Sequence, residues 1–163
     1  MWQELLKRNS VLAWLGVAHF VLAAMLAIYA NFNDVIVLGI NSMIKPIKFA
    51  LSIGIYAWTM GWILHYHQGP QAVARFSRAA VYIMSFEQLV ITGQAFRGEL
   101  SHFNTSSIVG MMLFSMMGIA ITVLTIWALR LAWQLITQRD YAIAPAYMWG
   151  IRLGIVLMVL FSF

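Results

Sequence analysis

A carboxylate in the middle of an apolar stretch is the residue of this chain most in need of a reason. Glu87 sits within residues 81–91, a segment that otherwise reads as a membrane span. On insertion scales a carboxylate at the centre of a span costs roughly 2.5–3.5 kcal/mol, so chains keep one there with a partner or a task. The same segment then runs into Gln94, Arg97, Gly98, Glu99, Ser101, His102 and Asn104, the densest polar patch in a chain that is 63% hydrophobic. Acids, bases and hydroxyls gathered at one membrane surface can hold a small polar or anionic species, relay protons, or serve as acid and base on a lipid-linked substrate.

A second set lies on the preceding apolar segment. Lys45, Lys48, Ser52, Tyr56 and Thr59 recur at helical spacing, and at about 100° per residue they fall in a stripe roughly 80° wide. Lipid cannot satisfy such groups, so the stripe should face other helices or a watery cavity. Glu87, Gln94 and Ser101 also share a face, with Arg97 one step round. The two helices are expected to run antiparallel, with Glu87 about 15 Å below Arg97 and level with Ser52 to Tyr56. Lys48 and Glu87 would then share one inter-helix pocket, Arg97 and His102 forming its rim. The competing reading of Glu87 is structural: a buried polar pair that fixes helix register. For Lys45 and Lys48 the competing reading is an interfacial anchor whose stem snorkels, and for Arg97 a headgroup anchor.

Metal chemistry is not expected. Of the four histidines, His65 and His67 lie at the opposite membrane end from His102, and His19 stands alone near the middle of the first span. A catalytic zinc needs three convergent ligands, and this set does not converge. His102 with Glu87 and Glu99 makes at most a partial site; His19 reads as a satisfied core residue. With no cysteine, disulfides, thiolate metal sites and cysteine nucleophiles are excluded. No phosphate-binding loop, nucleophile elbow or haem-attachment pattern occurs, and no cofactor is expected.

The elements that must position these residues are helices. Mean hydropathy is +0.83, and 9% of the residues are charged against about 25% in soluble domains. Five apolar segments approach or exceed the ~20 residues that cross a bilayer: about 11–30, 45–64, 79–96, 107–128 and 144–163. The first follows Lys7 and Arg8 without a cleavage site, as a retained signal anchor would. Asn41-Ser42 reads as the cap of the second, with Pro46 in its first turn; residues 34–44 form a connection along the surface. Gly69-Pro70 marks a turn, and Pro145 opens the last span. Ala50, Gly54 and Gly61 offer close-approach positions, and Met111, Met112, Met116 and Met117 read as adaptable packing. Asn104-Thr105-Ser106 matches a glycosylation sequon but lies too near the membrane to be a good acceptor.

The net charge of +5 comes from bases in short connections, which in a membrane protein speaks of orientation and anionic headgroups, not nucleic acid. Lys7, Arg8, Arg75, Arg78, Arg130 and Arg139 flank one side; Lys45, Lys48 and Arg97 flank the other. That imbalance points to a cytoplasmic N-terminus. The chain ends on an apolar run, Val159 to Phe163, as the front part of a longer protein would.

Residues 94–104, preceded by Glu87 and by residues 45–52, resemble a family of uncharacterised bacterial multi-spanning membrane proteins. The Arg97-Gly98, Ser101-His102-Phe103-Asn104 string carries most of the likeness, which runs from about residue 40 to the end. It implies an inner-membrane location and a helical bundle, and brings no activity with it.

The expectation is an all-α polytopic transmembrane bundle, one domain over 1–163. The pocket candidates are Lys45, Lys48, Ser52, Tyr56, Glu87, Gln94, Arg97, Ser101, His102 and Asn104. Three functions compete: binding or passage of a small polar or anionic species or protons; an enzyme acting on lipid, with His102 or Glu87 as base; and a non-catalytic subunit pairing with another membrane chain. Membrane lipids are expected partners in each.

Overall fold

The computed structural model describes residues 1–105, 107–138 and 143–160, the side chains of 158–160 excepted. It is a bundle of five helices: α1 Trp2–Ala30, α2 Ile44–Ile63, α3 Pro70–Phe96, α4 Ile108–Thr137 and α5 Pro145–Leu160. Three are long and apolar enough to cross a membrane: α1, α2 with the 3₁₀ turn Leu64–Tyr66 that extends it, and α4. α3 is equally long, but its polar residues lower its apolarity. It runs antiparallel to α2 and α4 through the same depth. His67 bonds Gln134 at one end of the bundle (3.0 Å), and the Asn104 side chain packs on Gly110 at the other. The described part of α5 is shorter, 16 residues; expected span residues 161–163, and Arg139 in the charge count, lie outside the described residues.

Helix boundaries follow local chemistry. α3 starts at Pro70, nine residues before the expected span, because proline is tolerated in the first turn and the polar turn that follows is helical without being apolar. α4 is preceded by Ser107, whose hydroxyl accepts from the Gly110 amide at 3.0 Å, a true N-cap. It continues past residue 128 because Leu131, Ala132 and Leu135 are buried. α1 is interrupted at Asn9, whose backbone is extended (φ −158°, ψ 88°). The Asn9 carboxamide caps the helix that follows, accepting from the Leu12 amide at 3.0 Å, and donates to Ser77 Oγ on α3 at 2.8 Å.

The connection 34–44 is more ordered than expected. Ile36–Val37 (β1) and Ile40–Asn41 (β2) pair antiparallel across a two-residue turn. Its central residues Leu38 and Gly39 both have positive φ (51° and 80°), as a type I′ turn requires. Asn33 and Asn41 pin the hairpin base: Asn41 Nδ2 donates to Ala30 O and Asn33 O, and Asn33 Nδ2 to Ser42 Oγ. The expected Asn41-Ser42 cap is thereby corrected. The N-cap of α2 is Met43; Asn41 lends only its Oδ1, which accepts from the Met43 amide at 3.0 Å.

The core begins at the α1–α2 seam. Gly54 sits under Phe20, Gly61 beside Leu5 and Leu12, and Gly16 under the Trp58 ring, whose Nε1 donates to Ala13 O at 3.1 Å. Leu12, Leu15, Ile53, Ala57 and Met60 continue the seam into a cluster with Phe76, Ala80 and Met84 of α3 and Leu124, Ala128 and Leu131 of α4. A smaller cluster ties α5 to α4 through Met148, Ile155, Ala132 and Leu135.

A Cβ at Gly16 would overlap the Trp58 indole, while Gly118 has nothing within 4 Å of its Cβ position. Gly16→Ala is expected to cost about 1–3 kcal/mol by overpacking and to shift the tryptophan emission spectrum. Gly118→Ala should leave the unfolding temperature in detergent no lower than wild type.

Candidate functional site

The polar patch is built by the way α3 stops. Gly98 takes a left-handed conformation (φ 67°), its amide bonds Ala95 O (3.2 Å), and the Glu99 amide bonds Gln94 O (2.9 Å). That pair of bonds is a Schellman cap, and it folds Glu99 back over the last turn of α3. Glu99 then becomes a hub: Oε1 accepts from Arg97 (2.7 Å), and Oε2 from Gln94 Nε2 and Asn104 Nδ2 (3.3 Å each). Gln94 also donates to Leu100 O. Arg97, Gln94 and Asn104 are thus gathered, but around Glu99 and not Glu87. The sequence reading placed Glu99 in the patch without giving it this part; its position just after a glycine at a helix end was the available signal. Asn104 is buried, which takes the sequon away from solvent.

Beside this hub, His102 sits between the rings of Phe49 and Phe114, at 6.3 and 6.2 Å. Its Nδ1 lies 3.1 Å from both Lys45 Nζ and Ser101 Oγ. An ammonium can only donate, so Nδ1 accepts and Nε2 carries the hydrogen. Burial first, and then the Lys45 charge, hold the His102 ring below its ordinary value of 6.5. Lys45, Ser101 and Glu99 also edge a cavity of about 110 Å³ between the hairpin, α2 and α3. Its remaining wall is mostly apolar: Val37, Leu38, Ile40, Pro46, Ile91, Ala95 and Leu100.

Two neighbouring buried polar side chains of α3 have unmet acceptors. Gln88 Nε2 donates to Pro46 O (3.2 Å) and Thr92 Oγ1 (3.0 Å), but Gln88 Oε1 has no partner. Glu87 is 2% exposed, and its Oε1 has no partner either. A sealed carboxyl must hold a proton or accept from a donor. Among the described residues none donates to it.

The expected Lys48–Glu87 pocket is therefore corrected. Among the described residues no ion pair or hydrogen bond joins the two; the ion pairs are Arg8–Glu4 and Arg97–Glu99. The Gln88–Pro46 bond places this part of α3 beside the first turn of α2 instead of Ser52 to Tyr56. That is close in depth to Lys48, so it is the rotation of α2 that keeps Lys48 and Glu87 apart. The buried face of α2 is Pro46, Ala50, Ile53, Gly54, Ala57, Met60 and Gly61, well over 90° round the helix from the polar stripe. Lys45, Lys48, Ser52 and Thr59 are accordingly exposed, and Tyr56 half-buried. Of that stripe only Lys45 joins the patch.

Among the described residues no group of three His, Asp or Glu could hold a metal ion. His19 is buried and donates from Nδ1 to Leu15 O at 2.9 Å, satisfied within its own helix.

Because the folded protein holds His102 neutral where an unfolded chain takes up the proton, stability falls as pH drops through and below about 6.5. The loss is at most ~1.4 kcal/mol per pH unit; His102→Gln should flatten it, and Lys45→Gln should move the His102 titration upward by NMR. Glu87→Met loses no hydrogen bond at Oε1 and removes an unsatisfied buried acceptor, so unfolding in detergent should shift up by about 1–3 kcal/mol; a register-fixing role for Glu87 predicts the opposite sign. Comparison with protein-family models, curated proteins and solved structures finds no match, so the chemistry of the site is read from its own geometry.

Proposed function

We propose that this protein is a membrane-embedded binding protein, and that the cavity between the hairpin, α2 and α3 takes a small amphiphile from the adjoining leaflet. The observation that carries this reading is the lining itself. Seven of the lining residues are apolar, and Lys45, Ser101, Glu99, Asn41 and Ser42 supply its polar groups. The apolar part suits a hydrocarbon segment, and the polar groups suit a polar or anionic head that can reach the Lys45 ammonium.

The orientation belongs to the same proposal. Lys7, Arg8, Arg75, Arg78 and Arg130 gather at the end opposite the hairpin, which favours a cytoplasmic N-terminus and an extracytoplasmic cavity. α3 crosses with α2 and α4 in this reading, since it connects their opposite ends. A bacterial inner membrane, and kinship with the proteins that residues 94–104 resemble, are parts of the proposal as well.

One contact favours a hydrolytic second reading. Ser101 Oγ lies 3.1 Å from His102 Nδ1 at the cavity edge, within reach for a base to take a hydroxyl proton. An ester amphiphile could then be substrate instead of cargo.

Ala95→Trp should fill the cavity and lower labelling by a photoactivatable fatty acid at least tenfold, with circular dichroism unchanged; unaltered labelling rejects the site. Lys45→Gln should weaken an anionic amphiphile more than a zwitterionic one. Ester turnover abolished by Ser101→Ala, with labelling retained, selects the hydrolytic reading. The chain lacks cysteine, so a single Gln68→Cys should react with an impermeant maleimide only in opened vesicles if the N-terminus is cytoplasmic.

A further inference from the structure

The opposite end of the bundle holds a larger cavity, of about 540 Å³, between the break in α1, the turn after α2 and the first turns of α3. Lys7, Arg8, His65, His67 and Arg78 line it, and no Asp or Glu is among its described lining residues. Two of the five are already committed. Arg8 pairs with Glu4 (3.0 Å), donates to Tyr66 Oη (2.9 Å) and stacks over Trp62 at 4.1 Å. His67 accepts from the Gly69 amide at Nδ1 and bonds Gln134 through Nε2.

The other donors make few hydrogen bonds, although the Glu4 carboxylate that pairs with Arg8 also lies within electrostatic reach of Lys7 and His65. Lys7 and His65 make no hydrogen bond to described residues, and Arg78 reaches only Ala74 O, through Nε at a long 3.4 Å. The Ser10 hydroxyl joins them on the lining. The interruption at Asn9 also makes Ser10 the start of a new helix, so the positive end of a helix dipole opens on the same cavity. Leu6, Val11 and Val73 give the rim an apolar side.

We infer that this cavity is a binding site for a phosphate group, held by Lys7 and Arg78 with Ser10 and His65 beside them. Separated donors around a wide cavity suit a tetrahedral oxyanion with several acceptor oxygens, and the guanidinium fork matches phosphate geometry. The group is either the headgroup of an anionic phospholipid, whose acyl side the apolar rim would meet, or a soluble phosphate. This site is independent of the cavity at the hairpin end and of what that cavity binds.

The test has two arms, both on the full chain in detergent. In the first, native mass spectrometry counts adducts of short-chain phosphatidylglycerol and phosphatidylcholine on wild type, on Lys7→Gln/Arg78→Gln, and on Arg130→Gln, which lies outside the cavity. In the second, inorganic phosphate at millimolar concentration is tested for a rise in Tm. Phosphatidylglycerol adducts reduced at least fivefold in the double variant alone identify a lipid headgroup. A phosphate-induced rise in Tm that the double variant loses identifies a soluble phosphate. Equal adducts in all three proteins, or equal binding of both lipids, together with no phosphate effect on Tm, overturn the site. Should the double variant unfold, Arg78→Gln and Arg78→Lys, at an exposed position, decide by the same readouts: Gln should lose binding and Lys retain most of it.

Discussion

The approach of two helix backbones governs the arrangement of everything else. Glycines at 16, 54 and 61 remove the side chains that would hold α1 and α2 apart, and Phe20, Trp58, Leu5 and Leu12 fill the space released. In a bilayer, where hydrocarbon gives helices no hydrophobic reason to associate, such close packing is a principal source of association. Once α1 has claimed the small face of α2, the polar stripe of that helix must turn elsewhere. α3 then lies against both, pinned to α1 through Ser77–Asn9 and to α2 through Gln88–Pro46. α4 packs on the far side, where Phe76 meets Trp127 edge-on at 6.4 Å.

Polar groups are handled differently at different depths. At the hairpin end Glu99 collects three donors, so the loop is closed by hydrogen bonds instead of apolar contacts. Within the helices, His19 uses its own Leu15 carbonyl, and Ser115 and Thr122 do the same with carbonyls four residues back. Among the described residues Glu87 and Gln88 depart from this, each leaving an acceptor oxygen sealed and unpaired. Unpaired acceptors of this kind cost free energy that packing elsewhere has to offset.

Much of the fold was legible because hydropathy and glycine placement are local signals. The five helices, the turn at Gly69-Pro70 and the role of Gly54 and Gly61 could all be read that way. The site was legible only in part. Spacing shows that Lys45, Lys48, Ser52 and Tyr56 share a face, but not which neighbour that face meets. The glycines at 54 and 61 lay on the opposite arc and decided it. The axial register between α2 and α3 is marked by the bond from Gln88 to Pro46 and by apolar packing between the two helices, neither of which a one-chain periodicity encodes. The hairpin escaped because its strands are two residues each and its turn is Leu38-Gly39, without the Asn-Gly or Asp-Gly pair that usually announces such turns.

The interruption at Asn9 carries a consequence for the bilayer the protein can occupy. Unbroken, the 29 residues of α1 would measure about 43 Å, well beyond a hydrocarbon slab of about 30 Å. Restarting at Ser10 leaves a rod of about 31 Å, close to that thickness. The short piece before it turns back along the bundle, with Arg8 over Trp62, Leu5 beside Gly61 and Trp2 against the rings of Trp14 and Trp58. Leu5 lies before the joint and packs on Gly61, so the contact that shuts the glycine seam also holds the short piece in place.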